Sequence, residues 1–178
     1  MLAIALSCGA FIFTGFIVHA IAVLRGLGHD PAGALLLASL IGPAQVGVRL
    51  IELGFGHRYS VMSSALFAAA VLPLGLGLAG LAGGNFIVAL VCIASYGVAN
   101  GLKAVLRATL PLALFGRAQF GTTMGRLALP QGIVSAAAPP VLAFVMAEGG
   151  AEGVLAVTFA VGCVALAATV ALAQRTSR

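Results

Sequence analysis

Long apolar stretches separated by short polar or glycine-rich breaks account for almost the whole chain. A bilayer core about 30 Å thick is crossed by about 20 apolar residues in a helix. Six such helices are predicted, over residues 2–24, 31–53, 61–82, 86–107, 122–147 and 153–173. The breaks are physically specific. Arg25 and Gly26 close the first run, after which Asp30 is placed to cap the second helix and Pro31 to begin it. Residues 54–60, from Gly54 to Ser60, form the next turn, and Gly83, Gly84 and Asn85 the one after. Pro130, Pro139 and Pro140 are expected to bend the fifth helix. The short acidic stretch 148–152, with Glu148 and Glu152, separates it from the sixth.

Composition turns this pattern into a fold class. The chain is 62% hydrophobic and 7% charged, with a mean hydropathy of +1.19, whereas soluble domains carry about 25% charged residues. The expectation is an all-α polytopic membrane protein, folded as one six-helix domain over residues 1–178. Residues 1–24 do not read as a cleaved signal peptide, because they lack a basic leading segment and the apolar run is too long. Met1 leads straight into the first helix, which suggests a chain lacking its front half. Cys8, Cys92 and Cys163 each lie inside an apolar run without paired spacing and read as small buried hydrophobes, so no disulfide, metal or cofactor is expected.

The few charges set an orientation. Residues 101–131 hold Lys103, Arg107, Arg117 and Arg126, four of the nine cations, and this connection is expected at a water-facing edge. With six crossings both termini share its side, along with Arg49, Arg58, Arg175 and Arg178; the opposite side keeps only Arg25. Lys and Arg are retained on the cytoplasmic side of a bacterial inner membrane, so both termini are predicted to be cytoplasmic. The net charge of +5 reflects this topology. A nucleic-acid surface would need the cations clustered on one face with aromatic or polar partners, and no nucleic-acid partner is expected.

Enzyme chemistry at membrane depth requires a nucleophile with a base, or paired acids. His19 is the lone intramembrane histidine, and no Asp or Glu falls in the middle of a run, so the chain is not expected to be an enzyme. The most informative polar face is on the fourth helix, where Tyr96, Asn100, Lys103 and Arg107 fall on one stripe that extends outward through Cys92, Ala89 and Asn85. Polar groups in hydrocarbon are unfavourable, so this stripe should face protein or water, with Lys103 and Arg107 either snorkelling to the interface or lining a polar path. Gln131 and Ser135 share a face of the fifth helix beneath Arg126, and Ser7 and Thr14 share one on the first, roughly a third of a turn from His19. A lone Ser or Thr in such a helix commonly bonds back to its own backbone. The third and sixth helices are apolar nearly all round and are expected to face lipid. Gly97 with Gly101, and Gly121 with Gly125, have the spacing that allows close helix contact.

Two stretches carry a family resemblance. GPAQVGVRLIELGFGHRYS, residues 42–60, resembles the eighth helix and following cytoplasmic loop of bacterial major facilitator superfamily transporters. Residues 96–140, from YGVANGLKAVLRATLPLALF to IVSAAAPP, resemble that family's tenth and eleventh helices. The resemblance extends over essentially the whole chain and matches the C-terminal six-helix half of the fold.

It implies a secondary transporter, or half of one, that moves a small solute across the membrane by alternating access. The substrate would bind near the midplane between two six-helix units. The first and fourth helices would line the cavity, the second and fifth would meet the other half, and the third and sixth would face lipid. Solute contacts would come from Tyr96, Asn100, Gln131, Ser135, Ser7 and Thr14. The family's Gly-Arg-rich gate motif is matched by Gly47, Arg49, Gly54, Gly56 and Arg58; it departs by lacking an Asp before an Arg and by having His57 at a basic position. Glu52 is spaced to pair with Arg49. Lys103, Arg107 and Arg126 are expected at the inner mouth, where Lys103 and Arg107 favour an anionic solute. The expected partners are the lipid bilayer, that solute and a second six-helix unit, either an N-terminal half or another copy. The rival expectation is a truncated, non-transporting fragment or a membrane-embedded interaction subunit.

Overall fold

The structure is a computed structural model that describes residues 1–82 and 84–176. Gly83, expected in a turn, and Ser177 and Arg178 of the tail lie outside the described residues, as do the side chains of His57, Ala82 and Thr176. The described residues form helices α1 (Leu2–Gly26), α2 (Pro31–Ser39), α3 (Ile41–Phe55), α4 (Val61–Ala82), α5 (Phe86–Phe115) and α6 (Phe120–Thr176), with one 3₁₀ turn at Gly56–Arg58. Among them are five helical spans long and apolar enough to cross a membrane, α2 and α3 together making one.

The helix starts follow local chemistry. The Asp30 carboxylate accepts from the backbone N–H groups of Ala32 and Gly33 at 3.2 and 3.3 Å, and Pro31 opens α2. Asn85 caps α5 in the same way, accepting from Ile87 and Val88 at 2.9 and 3.4 Å. The Ser60 hydroxyl accepts from the Ser63 N–H at the head of α4. Each cap satisfies amide donors that the first helical turn leaves open.

Three boundaries differ from the sequence reading. The second helix, expected unbroken over residues 31–53, is divided at Leu40, because Pro43 has no N–H for the Ser39 carbonyl and its ring crowds that carbonyl. The fourth helix, expected to end at Arg107, continues to Phe115 and ends at Gly116, whose φ of 72° suits a residue without a side chain. The connection assigned to residues 101–131 is therefore helical over most of its length. The last two expected helices are one element, α6, interrupted at Gly150, where φ is 61° and ψ is −158°.

At Gly150 the chain doubles back. A Cβ placed on Gly153 would lie 3.3 Å from Val145 Cγ1; in an unbroken helix these residues would be about 12 Å apart along the axis. Leu127, before the kink, and Leu172, after it, meet in one apolar cluster with Leu2, Leu6, Leu102, Leu106 and Leu110. Ala151 lies instead against Gly26, at the far end of α1.

The core has two parts. The larger one joins Ile12 and Phe16 of α1, Leu37 of α2, Leu76 of α4, Ile93 and Tyr96 of α5, and Leu142 and Val154 of α6. The smaller one surrounds Leu6 and Leu106. Of the five spans, Pro31–Phe55 is the least buried and Phe86–Phe115 the most. α4, the helix expected to face lipid, buries Ala65, Leu72, Leu76 and Ala79 against α5 and α6 and leaves Phe67, Leu74, Leu78 and Leu81 exposed. Close approach of α5 to α3 rests on Gly97 and Gly101, where a Cβ would meet Ala44 and Val48 respectively. Gly121 and Gly125, the other spaced pair, have nothing within 4 Å.

Candidate functional site

The polar stripe of α5 is divided by its neighbours into residues that face inward and residues that face out. Tyr96 is fully buried; its hydroxyl donates a 2.6 Å hydrogen bond to the Phe13 carbonyl, and its ring packs against Phe13 and Phe16 with centroids 5.3 and 4.9 Å apart. A phenol so engaged fastens α5 to α1. Asn100 is half-buried, and Arg107 is exposed.

Lys103 takes neither extreme. Its side chain is half-buried, and its ammonium lies 4.5 Å from the centre of the Phe13 ring, near the middle of α1. A Cβ on Gly9 would sit 3.6 Å from Lys103 Cε, so the missing side chain leaves room for the lysine stem. The negative face of an aromatic ring attracts a cation within about 6 Å of its centroid, and more strongly where water is scarce. The lysine thus turns inward into the bundle. It borders a cavity of about 70 Å³ walled by small residues, including Ala5, Ala68, Ala69, Ala99 and Ala165, between the two parts of the core. Phe13 touches both Tyr96 and Lys103, yet sequence reading did not single it out, since one Phe in an apolar run looks like any other.

The remaining expected solute contacts are spread over other surfaces. The Thr14 hydroxyl donates to the Ala10 carbonyl at 2.6 Å, and the Gln131 amide donates to the Leu127 carbonyl at 3.0 Å while buried. Both satisfy themselves on their own helix, as Thr158 and Thr169 do. Ser7 and Ser135 are half-buried, and Arg126 is exposed. His19 reaches across to α6, where its Nε2 meets the Pro139 carbonyl at 3.1 Å. A carbonyl can only accept, so this nitrogen carries the proton.

Of the expected gate residues, Arg49 and Glu52 reach neighbouring helices. Arg49 and Glu52 do not pair. Arg49 directs Nε to the Gly101 carbonyl at 3.5 Å, and Glu52 accepts from the Ser64 hydroxyl at 3.2 Å. The Arg58 guanidinium lies over Phe55, 5.6 Å from the ring centre. Gly56, in the 3₁₀ turn, has the Glu52 side chain beside it, whereas Gly47 has open space. The end of α3 is thereby tied to α5 through Arg49 and to α4 through Glu52.

No protein-family model, curated protein or solved structure was found to match the chain.

Proposed function

We propose that this chain is the C-terminal-type half of a major facilitator-like secondary transporter, not an enzyme, and that it moves a small organic anion by rocking against a second six-helix unit. The observation that carries the reading is the inward-turned Lys103. A lysine near the interface extends toward water unless something inside holds it, and an ammonium drawn into a membrane bundle marks a pathway for charge. The fold-back at Gly150 supports six crossings, with residues 120–149 and 151–176 as the last two. The cation distribution supports cytoplasmic termini in a bacterial inner membrane. In this arrangement Lys103 attracts the anion, Asn100 lies beside it on the stripe, and Arg107 and Arg126 guard the inner mouth. Tyr96 acts as a strut between α5 and α1, and Gln131 is engaged on its own helix.

The proton-coupling group belongs elsewhere. No acidic residue falls mid-span in this chain, and His19 is engaged with Pro139. Replacing His19 by Gln should leave pH-dependent uptake in place, and its complete loss would overturn this assignment.

Native mass in mild detergent, followed by uptake of radiolabelled mono- and dicarboxylates into proteoliposomes, tests the function. A dimer or a complex with another six-helix chain, with uptake that Lys103→Gln lowers at least tenfold and Lys103→Arg partly keeps, supports it. Uptake indifferent to Lys103→Gln and Arg107→Gln sinks the anion assignment. A monomer without uptake would favour the rival reading, a non-transporting fragment or interaction subunit, for which the lightly buried surface of Pro31–Phe55 supplies the contact face.

A further inference from the structure

A second cavity, separate from the Lys103 region and independent of any transport role, opens between α3 and α4. These helices are consecutive, but their backbones pack on α5 and stand apart from each other, joined by the Glu52–Ser64 hydrogen bond. The gap holds a cleft of about 400 Å³ with Leu102 and Val48 at its base, a volume within the range of small-molecule sites. Ile51 and Phe67 give it apolar walls, and Tyr59, Ser63 and Ser64 line it with Glu52.

Glu52 is unusual in this setting. Among the described residues it is the one acidic side chain at its end of the bundle. Asp30 caps α2 near the opposite end, where Leu27 lies against Gly84, and Glu148 and Glu152 flank the Gly150 reversal against Gly26. It is half-buried, and the hydrogen bond that holds it comes from the Ser64 hydroxyl. The cation best spaced to neutralise it, Arg49, is turned to the Gly101 carbonyl, and Arg58 lies on Phe55. A carboxylate among apolar walls gains most from an opposite charge that brings its own hydrogen-bond donors. Tyr59 and Phe67 add aromatic faces that attract the same charge.

We infer that the α3–α4 cleft binds a protonated amine carried on an apolar body, with the ammonium on Glu52 and Ser64 and the body against Ile51, Phe67 and Leu102. The amine could be a free aralkylamine or the headgroup of an aminophospholipid entering from the bilayer. Both offer the same chemistry.

The test uses the full chain in phosphatidylcholine nanodiscs with 4-phenylbutylammonium as probe, read by calorimetry. Saturable binding is expected, weakened at least tenfold by Glu52→Gln and several-fold by Ser64→Ala, with 4-phenylbutanol failing to compete. Should Glu52→Gln not fold, Ser63→Trp at an exposed cleft position fills the space, keeps the carboxylate, and is expected to abolish binding. Phosphatidylethanolamine added to the nanodiscs distinguishes the sources: displacement of the probe identifies the lipid as ligand, and undiminished binding identifies the free amine. Equal binding by the wild type and Glu52→Gln, or equal competition by the neutral alcohol, would overturn the inference by reducing the cleft to apolar partitioning.

Discussion

The Lys103 ammonium rests over the Phe13 ring, 4.5 Å from its centre, with α5 supplying the charge and α1 the π face. A cation–π contact contributes about 0.5–2 kcal/mol, rising as the pair is desolvated. In a double-mutant cycle, Phe13→Leu and Lys103→Met should therefore show a coupling of about that size, read from unfolding in detergent. Strict additivity would mean that the ring does not hold the ammonium inside the bundle.

Tyr96 gives a second expectation. Tyr96→Phe keeps the ring packing and deletes the hydroxyl that donates to the Phe13 carbonyl. The loss should be about 0.5–1.5 kcal/mol, the net value of one hydrogen bond. Transport, where measured, should fall no further than the lost folded fraction explains. A loss of uptake in fully folded protein would place Tyr96 on the solute path.

The glycines of α5 and α6 should behave differently under the same substitution. Gly97→Ala and Gly101→Ala would drive a methyl into Ala44 and Val48 of α3, and each should lower stability by about 1–3 kcal/mol. Gly125→Ala meets nothing within 4 Å and should change stability by less than about 1 kcal/mol. Melting temperatures of the three variants in one detergent decide the matter, and similar values for all three would contradict the close α3–α5 seam.

Gly150→Ala should cost about 1–3 kcal/mol, because the backbone there is in a region that residues with a side chain rarely enter. Gly149→Ala beside it, with ordinary helical geometry and open space, is the control. A membrane-impermeant thiol reagent acting on Gly149→Cys and Gln174→Cys, on a background with the native cysteines replaced by alanine, tests the reversal directly in oriented vesicles. Labelling of both from the same side would count against the chain crossing between them.

Much of the fold was legible along the chain because its signals are local. Asp30 before Pro31 marks a helix start from two neighbouring residues, and Asn85 acts as a cap in the turn where the sequence placed it. The acidic stretch at residues 148–152 coincides with the reversal, because glycine and charge both leave an apolar helix at its ends. The continuation of α5 past Arg107 was hidden, since Arg107 is exposed and a helix can carry charge beyond the apolar zone without ending.

What the sequence determined by itself was the set of helices long and apolar enough to cross a membrane and the position of most breaks, both consequences of composition and nearest neighbours. Tertiary structure alone decided that Tyr96 is a strut, that Lys103 turns toward Phe13, and that Glu52 takes Ser64 in place of Arg49. The physical reason is that nearly every helix face here is apolar, so periodicity hardly distinguishes inside from outside. Which polar group meets which is then fixed by where glycines let helices approach and where α3 and α4 stand apart.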